Sequence, residues 1–146
     1  MAMPYEVVPD AVAKENARKI LAVVDMVTLA TVGGDGGPDI RGMAPVRADG
    51  LADVWFATAA DSPKAKQLKA NPKAAVYGFV MDDFSEFRLY GEAELLTDSA
   101  SRRRAWRDDF AMHWPEGPDS PDAVAVRFRA KRGQWATIGK TGSFTV

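Results

Sequence analysis

The feature that most constrains this chain is a change of hydrophobic period near residue 25. Residues 11–24 (AVAKENARKILAVV) set Ala13, Ala17, Ile20, Leu21 and Val24 at helical spacing, so one amphipathic helix is expected, with Asp10 as its N-cap. From Met26 on, the period falls from 3.6 to 2, the spacing of strands that bury one face. Met26–Val32 is the first such run. Gly33-Gly34-Asp35-Gly36-Gly37-Pro38 then reads as a tight turn, and Asp39–Arg47 as the returning strand. Alternation on that strand sets Ile40, Ala44 and Val46 on one face and Arg41, Met43, Pro45 and Arg47 on the other. Ala48-Asp49-Gly50 is the next expected turn.

Further strands are expected at Val54–Thr58, Lys73–Val80, Phe87–Leu96, Val124–Phe128 and Gln134–Ile138, with no clear pattern over Gly139–Val146. Two more helices interrupt them. One has Ser62 as cap and Pro63 at its first position, and is stopped by Pro72. The other, about 99–114, is capped by Asp98 and carries Trp106, Phe110 and Trp114 at i, i+4, i+8. Short strands joined by tight turns favour a mainly β, antiparallel sheet with flanking helices, and closure into a small barrel would remove exposed edges. No repeat or linker divides the 146 residues, so a single domain, 1–146, is expected.

Composition narrows the chemistry. Cysteine is absent and His113 is the one histidine. Disulfides, thiol catalysis, Cys-ligated metals and a Ser-His-Asp triad all lose their parts, so reactivity has to come from carboxylates, hydroxyls or a borrowed cofactor. Lys plus Arg is 19 against 20 for Asp plus Glu, a net charge of −1, which argues against nucleic acid as a partner. No leader pattern is visible at Met1–Asp10, and apolar runs fall short of the ~20 residues of a membrane span, so a soluble, cytoplasmic protein is expected.

Several motifs read better as structure than as sites. Gly139-Lys140-Thr141 lacks the spacing and the following helix of a phosphate loop. Gly33–Gly37 lies between strands and is a hairpin tip. Arg102, Arg103, Arg104 and Arg107 read as a solvated helix face with Asp108 one turn from Arg104, and Arg127 and Arg129 share an exposed strand face. His113 reads as a packed or helix-capping imidazole. The pairs Asp82/Asp83 and Asp108/Asp109 are neighbours whose side chains point apart, unlike a two-carboxylate site. The informative block is Val54–Val76, in which a strand ends at Thr58 and a helix opens with Ser62 and Lys64. A hydroxyl, an ammonium and a helix N-terminus together make an anion site or simply a capped surface helix.

At this block the chain resembles the pyridoxamine 5′-phosphate oxidase-like flavin-binding family, built on the FMN-binding split barrel. The resemblance rests on Phe56-Ala57-Thr58, Ser62-Pro63-Lys64, Gln67 and Asn71-Pro72, and upstream on Thr28–Thr31, Asp35–Pro38 and Arg41-Gly42-Met43. Gly91–Leu95, Trp114–Pro118 and Gln134-Trp135 are similar to its small general-stress-protein branch. The resemblance implies an antiparallel split β-barrel, a homodimer with FMN between subunits, and phosphate binding by Arg41 and Lys64 with help from Ser62. It places Met43, Ala57 and Thr58 along the isoalloxazine and Gln67 at the phosphate or ribityl chain. Trp135 aligns with a Trp that reaches the flavin from the other subunit, and equally reads as a core Trp of the last strand.

There are two departures. Pro63 stands where the family often has Arg, and Lys140–Val146 carries no Arg or His where true oxidases have a basic substrate-gripping segment. The resemblance therefore implies a flavin-dependent oxidoreductase of unknown substrate, related to the true oxidases but distinct from them. The same superfamily also uses the deazaflavin F420, haem or bilins. High Ala, Asp and Arg usage fits a high-GC bacterium, where F420 can occur. A non-enzymatic flavin-binding stress protein is a third expectation. No side chain is singled out as catalytic, and no metal site is expected.

Overall fold

The computed structural model describes residues 4–46 and 50–146. Arg47 and most of the turn expected at Ala48-Asp49-Gly50 lie outside them. Among the described residues, eight strands form one sheet: β1 (Glu6–Val7), β2 (Val27–Val32), β3 (Pro38–Met43), β4 (Asp53–Ala59), β5 (Lys73–Val80), β6 (Ser85–Leu96), β7 (Ala123–Thr137) and β8 (Lys140–Thr145). Three α-helices accompany it: α1 (Asp10–Val23), α2 (Pro63–Ala70) and α3 (Ser99–Arg104). The strand order is β1-β8-β7-β6-β5-β2-β3, with β4 attached separately to β7. All pairs are antiparallel except β1 with β8.

The long strand β7 organises this sheet. It pairs with β6 along most of its length, while its other edge is shared: Ala123–Arg129 take β4 and Arg132–Thr137 take β8. The change of partner coincides with a register shift opposite Tyr90/Gly91. A Cβ at Gly91 would lie 1.9 Å from the Arg129 carbonyl oxygen, so only glycine lets the two backbones meet there. Bulges of this kind bend and twist a strand, and this one splits the sheet. The sheet is not closed: β3 and β4 approach through the bridge Val46↔Trp55. The barrel is thus split rather than closed, as expected of a split β-barrel, with a seam between β3 and β4.

The core lies between the sheet and α1. Ala13, Ala17, Ile20 and Leu21 of α1 are buried as the spacing predicts, against a cluster containing Leu29, Phe56, Val76, Phe87, Leu89, Val126, Phe128 and Phe144. Phe56, Phe87 and Phe128 are fully buried, each stabilising the fold by about 1.5–3 kcal/mol through removal from water.

Several local expectations change. Asp10 is the first residue of α1 rather than its cap; Pro9 takes the cap position, and no side chain caps the helix there. β3 stops at Met43 instead of reaching Arg47. The two strands expected at 124–128 and 134–138 are one, β7. The tail read as patternless is β8, folded back through Ile138-Gly139, where Gly139 takes a φ of 77° that suits a tight turn. The helix expected over 99–114 ends at Arg104, and a 3-10 turn follows at Asp108–Met112. Asp109 binds the Arg107 guanidinium through both carboxylate oxygens, and Arg107 also donates to the Pro45 carbonyl. Those bonds hold the chain off the helical path, yet Trp106, Phe110 and Trp114 still stack edge-to-face.

Candidate functional site

Two polar groups and one cleft converge at the seam. The first group sits at the start of α2. Ser62 caps the helix as its position predicts, its Oγ accepting from the Ala65 N–H at 3.3 Å. Lys64, in the first turn, donates from Nζ to Thr58 Oγ1 at 3.0 Å, and Thr58 Oγ1 lies 3.2 Å from Ser62 Oγ. Thr58 ends the buried stretch of β4, so strand and helix place the three groups together. Burial holds the Lys64 ammonium below the usual lysine range, and the positive charge of Arg41 adds to the effect. Two cations that repel each other at one corner favour an anion between them.

The second group is a closed network around Arg41 on β3. Arg41 Nη1 donates to Thr31 Oγ1 at 2.8 Å and to the Leu29 carbonyl at 3.2 Å. Arg41 Nη2 donates to Asp39 Oδ2 and to Gln67 Oε1, both at 3.0 Å. Gln67, one turn beyond Lys64 on α2, accepts from Thr31 Oγ1 at 2.6 Å and donates to Asp39 Oδ2 at 2.9 Å. The Gln67 hydrogen bond, and then the Arg41 charge, hold the Asp39 carboxyl below the usual carboxylate range.

The cleft itself encloses ≈ 560 Å³, within the range of small-molecule sites. β3 lines it with Gly42, Met43 and Ala44, and β4 with Ala57, Thr58 and Ala59. Lys64 stands on its wall. The opposite wall is Asp109, Phe110, Met112, His113 and Trp114, which the sequence reading did not place at the site. Its one signal in the sequence is the run Trp106, Phe110 and Trp114, whose spacing predicts a helix face. His113, expected as a packed or helix-capping imidazole, takes the C-cap position of the 3-10 turn and is exposed beside Trp114, with ring centroids 5.9 Å apart.

Of the expected site residues, the fold brings Arg41, Met43, Ala57, Thr58, Ser62, Lys64 and Gln67 to this corner. Trp135 is elsewhere: it is 7% exposed, in the core cluster, and lines a separate hollow with Asn16, Lys19, Ile20, Val23, Val80, Asp83 and Ser85. Several of the arginines read as solvated are ion-paired. Arg103 meets Asp119, Arg127 meets Asp53 and stacks on Trp55, and Arg129 meets Glu94. With α3 ending at Arg104, Asp108 is no longer one helical turn below it. Among the described residues, no helix is long and apolar enough to cross a membrane.

The residues present suit a phosphate-bearing planar ring. Lys64 has donors beyond its bond to Thr58, and an apolar floor and an aromatic wall face each other across the cleft. A protein from Clostridium acetobutylicum related to general stress protein 26 of B. subtilis (pyridoxinephosphate oxidase family) superposes with a TM-score of 0.84 at 27% identity, covering 95% of this chain and 97% of that one. Its mostly β split-barrel architecture is the one seen here. An F420 reductase superposes with a TM-score of 0.62 at 21% identity, over 86% of this chain and 98% of that one, and shows a shared fold alone. A pyridoxine/pyridoxamine 5′-phosphate oxidase of Methylibium petroleiphilum is 36% identical over 75 residues, which is 51% of this chain and about a third (35%) of the relative. The family model for pyridoxamine 5′-phosphate oxidase matches residues 13–135, a span that contains the seam, both polar groups and both walls of the cleft, and the chain therefore belongs to that family.

Proposed function

We propose that the chain binds FMN in the β3–β4 cleft and acts as a flavin-dependent oxidoreductase on a small substrate. The observation that carries this reading is a cationic corner, Lys64 with Arg41, at the side of an apolar cleft of suitable volume. Lys64 would bind the phosphate as a point charge, with Ser62 and the first N–H groups of α2 beside it, the dipole of the helix favouring the anion. Arg41 would add a forked donor, and Gln67 would meet the phosphate or the ribityl chain. Met43, Ala57 and Thr58 would lie along the ring, and Phe110, Met112 and Trp114 would keep water from its other side. The flavin, when bound, supplies the electron chemistry; the chain supplies anchoring, orientation and exclusion of water.

The reading includes a cytoplasmic, bacterial homodimer with the cofactor between subunits. Met26 and Met112, 56% and 79% exposed, line the cleft and support a second copy as its cover. Trp135 would then meet the flavin of that second copy. Vitamin B6 phosphate is not the proposed substrate, because the basic segment that resemblance associates with it is replaced here by β8, whose residues pair in the sheet.

Purified protein titrated side by side with FMN and F420 tests the reading. FMN binding at a clearly lower concentration supports it, tighter F420 binding moves the assignment to a deazaflavin reductase, and binding of neither removes it. Steady turnover with a reduced nicotinamide and an added acceptor separates an oxidoreductase from a flavin carrier.

A further inference from the structure

One ionisable side chain on the cleft has no part in the proposed function. Of the polar side chains that line the walls, Thr58 accepts from Lys64 and lies against Ser62, and Lys64 is assigned to the phosphate. Asp109 gives both carboxylate oxygens to the Arg107 guanidinium. The Trp114 indole is a donor only. His113 remains. Among the described residues its imidazole makes no hydrogen bond or ion pair, and it packs edge-to-face on the Trp114 ring. The backbone beneath it is nonetheless held. The N–H groups of His113 and Trp114 both donate to the Phe110 carbonyl, at 2.9 and 3.0 Å, and Phe110 is buried with the Arg107 guanidinium over its ring. A fixed turn thus carries a free imidazole to the cleft. Histidine is also the side chain whose ordinary titration falls between pH 5 and 8, so it can give up a proton and regain it from water.

We propose that His113 is the acid that protonates an acceptor bound in the cleft, and that the acceptor is a flat, uncharged carbonyl compound. This role rests on the flavin reading above. Among the described residues, β3 and β4 present no ionisable side chain to the cleft. The charges around His113 are Lys64 on the sheet wall, with Arg41 beside it, and the Arg107–Asp109 pair on its own segment. That pair is closed on itself and Lys64 serves the phosphate, so no charge is left on the facing wall to hold a charged substrate. The rest of that wall is Phe110, Met112 and Trp114, aromatic and thioether surface that suits a flat apolar ligand. A quinone shows the balance. It takes a hydride from the flavin, which a nicotinamide has reduced beforehand, and a proton from the His113 imidazolium. Two O–H bonds form as two C=O double bonds become single, the flavin is left oxidised, and the imidazole recovers its proton from water.

The test uses the full chain loaded with FMN and 1,4-naphthoquinone as the probe. His113 is the one histidine in the chain, so its ring signals in NMR assign themselves. Naphthoquinone is expected to shift those signals, and to bind about tenfold more weakly once pH has risen through the His113 titration, the size of one hydrogen bond from a charged donor. In anaerobic single-turnover reoxidation of the reduced flavin by naphthoquinone, the rate is expected to be full while His113 is protonated. It should fall as pH rises through the midpoint that the ring signals report. His113→Gln should slow the low-pH rate by about a hundredfold and flatten the profile, with unfolding midpoint and FMN affinity close to wild type. Ring signals unmoved by saturating naphthoquinone, a wild-type profile that ignores the His113 midpoint, or an unchanged profile in His113→Gln overturns the proposal. Failure to bind FMN removes the flavin reading and this role together, whereas FMN binding with a flat wild-type profile removes the role of His113 alone.

Discussion

The two walls of the cleft are built differently. The sheet wall, Met43, Ala57, Thr58 and Lys64, stands on strands β3 and β4 and on the first turn of a capped helix. Behind it, Val54 and Phe56 of β4 are buried, and β4 is paired residue for residue with β7 from Asp53 to Ala59. The facing wall, Asp109 to Trp114, is a short 3-10 turn held by edge-to-face rings and by the Arg107–Asp109 pair. One wall is held by the core of the molecule, the other by contacts among its own neighbours together with the Arg107 bond to the Pro45 carbonyl. Groups that must hold a charged phosphate in one place belong on the first kind of wall, and groups that adapt to substrates belong on the second.

The largest break in this contrast comes from the core. Phe128→Ala, on β7 opposite Val54, is expected to lower stability by about 3–5 kcal/mol in chemical denaturation and to loosen the sheet wall with it. Next is the anchor: Arg41→Ala with Lys64→Ala should weaken FMN binding by about a hundredfold or more while a cooperative unfolding transition persists. Unchanged affinity in fluorescence titration would refute the assigned roles. On the facing wall, Trp114→Ala should weaken FMN only about fivefold, the size of one aromatic contact, and should brighten the emission of bound flavin by removing a quencher.

A pH titration sharpens the picture of the anchor. Burial, followed by the charge of Arg41, lowers the Lys64 pKa in the free protein. A bound phosphate favours the charged amine and raises that pKa again, so binding takes up a proton in alkaline solution. Affinity is expected to hold below the free-state pKa and to fall as pH rises through it, earlier than an ordinary lysine would give. Lys64→Arg, whose charge persists, should flatten the decline. The smallest effect is on the exposed rim: Met112→Ser should change stability by no more than about 0.5 kcal/mol.

Much of the sheet wall was legible in the residues, because its signals are short-range. The cap Ser62, the adjacent Pro63 and the stop at Pro72 define α2 within a dozen positions, and alternation along Asp39–Met43 puts Arg41 and Met43 on one face. The facing wall was not legible. The aromatic spacing of Trp106, Phe110 and Trp114 is helical, and the rings do pack as such spacing predicts. The backbone beneath them departs from a helix because Arg107 donates to Pro45, 62 positions away. β8 was missed for a related reason: its run is short, and it becomes a strand by pairing with β7 and with β1.

What the sequence determined by itself was the set of local elements, the chemical types available and the corner at which Ser62 and Lys64 would lie. Caps, turns and side-chain periods act within one or two turns of chain, where neighbours in sequence are neighbours in space. Only the tertiary structure decided that β7 is one strand serving β4, β6 and β8, that the sheet stays open at β3 and β4, and that Arg41 is already held. The bonds that make Gln67 part of the Arg41 network span 26, 28 and 36 positions. Contacts at such separation depend on how the whole sheet bends, and the bend depends on a bulge where two backbones meet over Gly91.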